Sequence, residues 1–330
     1  MVLQTSGPIS LANIQTEFGG SNPISLSEYY GAYWGIPTSG AISIGDFYGA
    51  TSITTLTSGL TVNGQPNRKI ITVSNYIKPG NTLIIPSNYW VWSDQTFSAA
   101  LTINIPCTVI NYGKVIGRGG NGGASRDPAG GQAGGPAISV TSSGVTIQNM
   151  SGAYIAGGGG GGGGSRDVGG GGGAGGGVGG YSGLASVANG YGGVLNAAGS
   201  NGSADGYSGG GGGGGAGGGG GGSPAVSGYD GYGGGGGGGR ILPGSGGYGG
   251  KGPSFNNVNY VLGGTGGSAN NAGGVGVQIG FSGGIGGGGG GWGAAGGVDG
   301  RDGNPGGAGG AAITGTSRTL INSGTIYGST

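Results

Sequence analysis

Unbroken runs of glycine dominate the second half of this chain. The longest runs within residues 117–310 are 157–164, 209–215, 217–222, 233–239 and 286–291. Glycine has no side chain, so these runs cannot form a hydrophobic core or carry catalytic groups, and ordering them costs more backbone entropy than ordering other residues. The glycine-rich part is therefore either disordered or held in a lattice that only glycine can enter.

Composition favours the ordered alternative and marks a boundary. All but 12 of the 104 glycines follow residue 116, so a change of domain is expected there. Disordered segments usually combine high charge with few aromatic residues. Here only 6% of residues are charged, whereas the chain has 16 tyrosines and 4 tryptophans. The net charge of +1 also argues against the basic surface of a nucleic-acid-binding protein, so we expect no nucleic-acid partner.

The residue types present exclude several kinds of site. There is no histidine to act as an acid, a base or a metal ligand, and the single Cys107, in an apolar run, is expected to be a buried core residue. No pair of acids has the appearance of a catalytic pair, and the Arg-Asp pairs at 126–127, 166–167 and 301–302 are interpreted as solvated turns. Gly-x-Gly-x-x-Gly is inevitable at this composition and does not indicate a nucleotide site. We expect no catalytic residue, metal or cofactor, and a protein that is not an enzyme.

Residues 1–50 contain three copies of a short unit, which begin near Pro8, Pro23 and Ala41. Each copy reads Ile-Ser-(Leu/Ile)-x followed by an acid or asparagine, and the second and third copies continue with aromatic residues and glycine. A serine with an acid three residues later has the spacing of a helix capping box, and the final glycine ends a helix. The pattern predicts a repeat of three mini-helices.

One-turn helices are not stable alone, so the aromatic side chains of these units must pack against each other or against another protein. The first alternative is a small self-packed domain. The second is a docking module, for which the candidate contact residues are Tyr29, Tyr30, Phe47 and Tyr48. The two alternatives are compatible.

Residues 51–116 alternate apolar and polar positions and are rich in β-branched residues, which predicts strands. A second repeat begins at the end of this region. Residues 108–117 match 319–328 at nearly every key position, and 146–157 is a looser copy with two extra residues. Each copy reads as strand, Asn-x-Gly-type turn, strand. We expect the copies to stack as rungs of a solenoid, which would bring the end of the chain back beside residue 110.

Irregular inserts separate the glycine runs. Polyglycine can form an extended left-handed helix with three residues per turn, whose peptide groups bond to neighbouring helices. Several such helices can pack into a block, with the inserts as turns at its ends and with Ala174, Val178 and Ala216 pointing outward. The predicted fold is mainly β and irregular, in three parts: a mini-helix repeat domain (1–50), a β-rich domain (51–116), and a polyglycine II sandwich closed by a C-terminal rung (117–330).

Tyrosines concentrate in or beside the inserts, and two interpretations are open. They either cover the faces of the glycine block, as is expected above all for Tyr207 and Trp292, or form a recognition surface of tyrosine, serine, glycine and asparagine on loops of a rigid scaffold. The candidate binding residues are Tyr191, Tyr229, Tyr232, Tyr248, Phe255 and Tyr260.

Glycine runs interrupted by inserts, preceded by Asn-Tyr-Gly-Lys-Val-Ile-Gly-Arg-Gly-Gly-Asn-Gly-Gly at 111–123, resemble the receptor-recognising adhesins at the distal tips of T-even-type phage long tail fibres. The resemblance covers residues 101–330. It implies a sandwich of packed polyglycine II helices whose variable inserts bind host outer-membrane proteins or surface glycans. The triple repeat at 1–50 resembles segments of other phage virion proteins instead.

We therefore expect a non-enzymatic virion protein, an adhesin of the phage tail fibre or tail tip, docked to other virion proteins through residues 1–50. Homo-oligomerisation is left open. The first residues lack the basic and apolar regions of a secretory signal, and no stretch approaches the roughly 20 apolar residues of a membrane span. Both observations agree with synthesis in the host cytoplasm. The alternative is a structural tail or capsid-decoration protein without receptor binding.

Overall fold

The computed structural model describes residues 2–57, 60–62, 65–124, 130–165, 169–180, 261–262, 274, 277–278 and 286–330. These residues form short β-strands with few helices. The helices are α1 (Leu11–Phe18) and the 3-10 helices Leu26–Tyr29, Ile44–Phe47 and Val73–Asn75. In the described part of the chain, no helix is long and apolar enough to cross a membrane.

The strands of the described residues are, in chain order, β1 (Ile53–Thr55), β2 (Leu60–Val62), β3 (Gln65–Lys69), β4 (Ile71–Thr72), β5 (Thr82–Ile85), β6 (Trp90–Trp92), β7 (Leu101–Ile103), β8 (Cys107–Asn111), β9 (Lys114–Ile116), β10 (Ile138–Val140), β11 (Val145–Asn149), β12 (Tyr154–Ala156), β13 (Val261–Leu262), β14 (Val277–Gln278), β15 (Ile313–Thr314), β16 (Arg318–Asn322) and β17 (Thr325–Tyr327). All of them have five residues or fewer, and most are short because each forms one side of a turn of a larger coil.

Three mainly parallel sheets enclose one hydrophobic core. The first sheet has the order β1-β5-β8-β11-β16, the second β2-β3-β6-β9-β12-β17 and the third β4-β7-β10-β15. Within them, only the β2–β3 pair is antiparallel among the described strands. From β3 onward the chain visits the second, third and first sheets in turn and then repeats that order. The result is a β-solenoid with three strands per turn; β13 and β14 form a separate antiparallel pair.

The repeated segments stack as their sequences predict. Thr108 pairs with Thr146, which pairs with Thr319, and Lys114 pairs with Tyr154 in the neighbouring sheet. The predicted stacking is confirmed, but the predicted position of the chain end is corrected. Residues 318–327 pair with 145–156 and not with the strand at residue 110. The rungs stack in chain order, so the middle copy, through β11, lies between β8 and the C-terminal strand β16.

Inward-facing side chains form columns through the three sheets. All of them are at most 2% exposed, and they are Leu83, Val109 and Ile147 in the first sheet, Val91, Val115 and Ile155 in the second, and Leu101, Ile138 and Ile313 in the third. Cys107 lies in the same core, as expected, and burial raises the pKa of its thiol to about 11. The thiol therefore stays protonated at neutral pH, which suits a packing role and not a nucleophile.

Asparagines at the ends of first-sheet strands form a hydrogen-bonded ladder. Asn111 Nδ2 donates to Asn149 Oδ1, and Asn149 Nδ2 donates to Asn322 Oδ1, both at 2.9 Å. Asn111 Oδ1 also accepts from the backbone N–H of Gly113 at 3.0 Å. A Cβ atom at Gly113 would lie 2.4 Å from two main-chain oxygens, so this position requires glycine. The Asn-x-Gly pattern is therefore a corner that satisfies buried polar groups and joins successive rungs.

The first 50 residues fold around an aromatic cluster. Phe18, Tyr29 and Phe47, one from each sequence unit, have ring centroids 5.9–6.3 Å apart. In each unit a serine and the residue three positions later form a capping box; the pairs are Ser10–Asn13, Ser25–Glu28 and Ser43–Asp46. The nearly equal ring distances show that the three units surround the cluster and pack against each other.

Glu17 of α1 joins this N-terminal unit (residues 2–50) to the start of the solenoid. Its Oε1 accepts from the backbone N–H of Ser52 at 2.6 Å and from the hydroxyls of Thr51 and Ser52 at 3.0 Å. Burial by itself would raise the pKa of this carboxyl, but hydrogen bonds to the carboxylate outweigh burial and lower the pKa of Glu17. The charged form of Glu17 is therefore the one that stabilises the junction.

Replacing Glu17 with glutamine is expected to lower the free energy of unfolding by about 1–3 kcal/mol at neutral pH, because hydrogen bonds to a charged acceptor are lost. The folded-state pKa is below the unfolded value, so the stabilisation is present above the unfolded pKa and is lost as the pH falls through the folded pKa. Urea unfolding of wild type and variant should therefore converge below about pH 4. A difference that stays constant from neutral to acidic pH would contradict this assignment.

Both long glycine-rich segments leave the solenoid at the same corner. Residues 117–137 connect β9 to β10, and residues 157–312 connect β12 to β15, in each case from the second sheet to the third. Because the rungs stack in register, the two segments start side by side. Gly117 N donates to Ala156 O at 2.8 Å, and Gly157 N donates to Tyr327 O at 2.9 Å. Strands before and after residue 117 thus belong to the same sheets. The domain boundaries at residues 50 and 116 stay predictions.

Candidate functional site

The described glycine segments bond to one another through main-chain groups with a period of three residues. Residues 157–164 lie at the centre and use N–H···O bonds of 2.7–2.9 Å. This central segment donates in rotation to residues in 132–135, 171–174 and 294–297, and accepts from residues in 120–123, 287–293 and 307–310. From residue 158 to residue 163, each N–H and each C=O group therefore has a partner in a neighbouring segment, which solves the problem of burying a backbone without side chains.

Close approach makes glycine necessary in the central segment. A Cβ atom built at any residue of 157–164 would lie 1.9–2.3 Å from a main-chain oxygen of a neighbouring segment. At Gly161, for example, the nearest atom is Asn121 O at 1.9 Å. Because these obstacles are backbone atoms, they cannot rotate aside as a flexible side chain would. The sequence run is glycine for steric reasons.

The glycine segments attach to the solenoid through an aromatic cluster on the outer face of the second sheet. Trp292 is 1% exposed, and its ring centroid lies 5.4 Å from Tyr327 and 6.5 Å from Tyr154. Ala174, predicted to point outward, is 1% exposed and packs in the same cluster with Trp90 and Trp292. The prediction concerned the direction of the side chain out of the glycine block; the burial of Ala174 was not predicted, and it arises because the sheet covers that side of the block. Val178 is partly buried, and Ala216 lies outside the described residues.

A lysine is enclosed by the same cluster. The amine of Lys114 lies 4.2 Å from the ring centroid of Trp90 and 5.8 Å from that of Tyr154. Burial lowers the pKa of Lys114, and the faces of the two rings offset part of that cost by attracting the cation. The arrangement serves packing, since Lys114 lies within the aromatic cluster beneath the glycine segments.

At the opposite end of the glycine segments, away from the solenoid, a polar turn at residues 299–304 joins two neighbouring segments. Asp299 is buried, and its Oδ1 accepts from the backbone N–H groups of Arg301 at 2.9 Å and Asp302 at 2.7 Å. Asn304 Nδ2 donates to Gly164 O at 2.8 Å, which ties the turn to the end of the central segment. The exposed Arg301 and Asp302 lie on this turn, in agreement with the turn interpretation. Their charged groups are 3.8 Å apart.

The candidate insert residues Tyr191, Tyr229, Tyr232, Tyr248, Phe255 and Tyr260 lie outside the described residues, as do Tyr207 and the Arg-Asp pairs at 126–127 and 166–167. What the structure describes is the frame from which these inserts depart. Within the described residues, no group of three or more histidine, cysteine, aspartate or glutamate side chains could hold a metal ion.

The four candidate docking residues fall into two pairs. Tyr29 and Phe47 are 3% and 0% exposed and form the aromatic cluster of the N-terminal unit. Tyr30 and Tyr48 are 36% and 44% exposed, and their hydroxyls donate to the main-chain oxygens of Gly40 and Gly7. In each of the neighbouring pairs Tyr29-Tyr30 and Phe47-Tyr48, the first residue thus packs inside the unit and the second lies on its surface.

Comparison with known families decides the identity of this scaffold. The family model described as phage tail fibre adhesin Gp38 matches residues 51–232, more than half of the chain. The chain belongs to the Gp38 family of phage tail fibre adhesins. The matched range covers most of the solenoid and the first part of the glycine-rich region, and membership of the family places this chain in the phage tail.

One solved structure is similar to this Gp38-family adhesin over nearly its whole length. It is the gp37-gp38 adhesin tip complex of the bacteriophage S16 long tail fibre, with 21% sequence identity, 98% of this chain and 99% of the other chain covered, and a TM-score of 0.45. No curated protein matches the chain.

Sequence reasoning missed some exposed large apolar residues of this adhesin and the packing partners of a buried tryptophan. Trp34 is 48% exposed, and the amine of Lys78 lies 3.9 Å from the centroid of its ring. Ile44, beside the third capping box, is also exposed. Trp292 was expected to cover the glycine block, but its packing on Tyr154 and Tyr327 was not foreseen. The sequence held a weak signal, since Tyr154 and Tyr327 lie in equivalent strands of two repeated rungs but at different register positions.

Proposed function

We propose that this adhesin recognises a host cell-surface receptor through loops presented by a rigid polyglycine II sandwich. The observation that carries the proposal is the three-residue rotation of hydrogen bonds from residues 157–164 to six neighbouring segments. A helix with three residues per turn directs successive N–H groups to three different neighbours, as a polyglycine II lattice requires. At about 3.1 Å per residue, such a segment holds its two ends roughly 22 Å apart.

The frame suits loop presentation because it has one anchored end and one free end. The anchored end is buried against the second sheet by Trp292 and Ala174. The free end carries the turn at 299–304, whose backbone is fixed by the buried Asp299. Inserts that return to such an end are held by rigid elements, and this is how loops on a scaffold acquire binding function. We propose Tyr191, Tyr229, Tyr232, Tyr248, Phe255 and Tyr260 as the receptor contacts, with an outer-membrane protein or a surface glycan as the receptor.

We further propose that the N-terminal unit attaches the adhesin to other proteins of the phage tail, after synthesis in the host cytoplasm. Five of the large apolar side chains that are exposed in the described chain lie in the first 50 residues, and they are Val2, Tyr30, Trp34, Ile44 and Tyr48. A folded unit that concentrates exposed apolar residues is a candidate for protein interaction. Tyr30 and Tyr48 are the proposed contacts, and Tyr29 and Phe47 support them from within. The proposed adhesin is not an enzyme and needs no cofactor.

Exchanging the inserts 184–207 and 223–262 for glycine-serine segments of equal length is expected to reduce phage adsorption to host cells at least tenfold. The reason is that a few buried aromatic contacts usually carry most of the binding free energy. Adsorption of phage particles that carry the variant is the measurement, and the matched control is Phe97→Ala. Phe97 is 83% exposed on the solenoid and lies outside both proposed surfaces.

Unchanged adsorption of the insert variant would favour the alternative function, a structural tail or capsid-decoration protein without receptor binding. The experiment separates the two because a structural protein needs the frame and the N-terminal unit but not the chemistry of the inserts. Incorporation of the variant into particles, measured in the same preparations, shows that the frame is intact.

A further inference from the structure

A cleft separates the N-terminal unit from the first corner of the solenoid. Its volume is about 360 Å³, and its lining includes Phe18, Glu28, Tyr29, Tyr30, Gly80 and Asn81. Asn81 Nδ2 donates to Ala32 O at 2.9 Å and holds the two sides together. Such a volume is in the range of small ligand sites and is large enough for a side chain of another protein.

The polar groups of the cleft have a surplus of acceptors. The Tyr29 hydroxyl donates to Gly19 O at 2.7 Å, and the Tyr30 hydroxyl donates to Gly40 O. Both hydroxyl protons are therefore in use, and the oxygen lone pairs remain available. Glu28 accepts from the backbone N–H of Ser25 through Oε1 at 3.1 Å, while its Oε2 lies beside Gly20. A ligand of this cleft must donate hydrogen bonds.

The charge distribution around the cleft also favours a ligand that donates hydrogen bonds. Residues 1–50 contain three acids (Glu17, Glu28 and Asp46) and no lysine or arginine. Glu28 is the charged group that lines the cleft, and it has no ion-pair partner in the described part of the chain. The nearby Lys78 is engaged elsewhere, with its amine over the ring of Trp34 at 3.9 Å. The cleft therefore offers a carboxylate without a cation.

We propose that this cleft is the socket for a lysine or arginine side chain of the tail-fibre protein that carries the adhesin. The inference rests on the proposed docking role of the N-terminal unit and names the chemistry of the partner. Two observations favour a protein side chain over a glycan. The acceptors require a cation or strong donor, and the exposed Tyr30 makes the cleft continuous with the proposed docking surface. Electrostatic complementarity of this kind sets partner choice and association rate.

The substitution Glu28→Gln tests the socket without removing the helix cap, because glutamine serves at this position of a capping box as well as glutamate. The measurement is binding of the full-length chain to tail fibres purified from particles assembled without the adhesin, at low and high salt. We expect Glu28→Gln to weaken binding about 10- to 100-fold at low salt, the loss expected for a charge-assisted contact, and to flatten the salt dependence.

The matched control is Asp46→Asn. Asp46 has the same capping role in the third unit but does not line the cleft, and Asn13 already performs this role in the first unit. Its binding should stay within about twofold of wild type, since a charge outside the contact contributes little to binding. Equal binding of Glu28→Gln and wild type at both salt concentrations would overturn the socket and leave the docking role intact.

Two other outcomes would also overturn the proposed socket. Failure of the wild-type chain itself to bind these fibres would overturn the docking role and the socket together. Intact fibre binding by Glu28→Gln with loss of adsorption to host cells would show that the cleft takes a host ligand, and this would overturn the socket as well. A thermal unfolding midpoint within a few degrees of wild type for both variants shows that each binding measurement was made on a folded protein.

Discussion

Replacing Gly161 with alanine is expected to lower the free energy of unfolding by at least about 3 kcal/mol, the upper end of the usual cost of overpacking. The added Cβ would lie 1.9 Å from Asn121 O, and two further backbone atoms of residues 121 and 122 lie within 2.8 Å. Relief requires the glycine segments to move apart, which breaks the hydrogen bonds that Gly161 makes with Gln132 and Gly307. Urea and thermal unfolding, with hydrogen exchange of residues 157–164, measure the effect.

The control for Gly161→Ala is Ala308→Val, an enlargement on an outer glycine segment. Ala308 is exposed, while its main-chain oxygen accepts from Gly134 N at 2.9 Å like the other members of the block. A larger side chain that points to solvent should change the unfolding free energy by no more than about 0.5 kcal/mol. A Gly161→Ala variant as stable as Ala308→Val would refute the requirement for glycine.

Removing the indole of Trp292 is expected to cost about 3–5 kcal/mol and to detach the glycine segments from the solenoid. Trp292 is 1% exposed between Tyr154, Tyr327, Ala174 and the outer face of the second sheet. Alanine would leave a cavity at the main apolar contact between the two parts. Unfolding of Trp292→Ala should lose cooperativity, and limited proteolysis should cut within residues 157–312 before it cuts the solenoid.

Phe97→Ala is the matched control for Trp292→Ala, since it removes a large aromatic side chain that is 83% exposed. Its unfolding free energy should stay within about 0.5 kcal/mol of wild type. If Trp292→Ala unfolds in one transition at the wild-type urea midpoint, the aromatic cluster does not hold the two parts together, and their attachment depends on main-chain hydrogen bonds alone.

These two sites contribute different properties to the proposed recognition tip. The glycine segments supply stiffness, because every peptide N–H and C=O group of residues 157–163 is hydrogen-bonded and no side chain separates the neighbours. The solenoid supplies orientation, because both long segments leave from its second sheet and return to its third. In the proposed function, the inserts vary in sequence without a change in this frame, which is the property that a receptor-binding adhesin needs when its receptor changes.

Much of the fold could be predicted from the sequence where a repeat was visible. The match between 108–117, 146–157 and 319–328 predicted stacked rungs, because parallel in-register strands bring equal residues together. The order of the rungs was not predictable from similarity alone, and the end of the chain pairs with the middle copy. The candidate receptor contacts in the inserts stay predictions, as does the polyglycine II sandwich.

Prediction was weaker where a side chain could face either way. Tyr29 and Tyr30 are adjacent and chemically equal, yet one is in the aromatic cluster and the other is on the surface. Tyr29 is the last residue of the 3-10 helix and Tyr30 is its C-cap, and a one-turn helix gives too short a pattern to show where it ends. The same holds for Ala174, whose burial depends on the aromatic face of a sheet that lies far from it along the chain.

The sequence by itself determined that a side-chain-free frame of glycine is bracketed by β rungs, because repeats and glycine runs are local patterns with direct steric meaning. It also determined the acidic character of the first 50 residues, which have three acids and no lysine or arginine. Only the tertiary structure decided which surfaces remain free. The packing of Trp292 on the second sheet and the cleft beside Glu28 both join residues distant in the chain, and such contacts leave no local pattern.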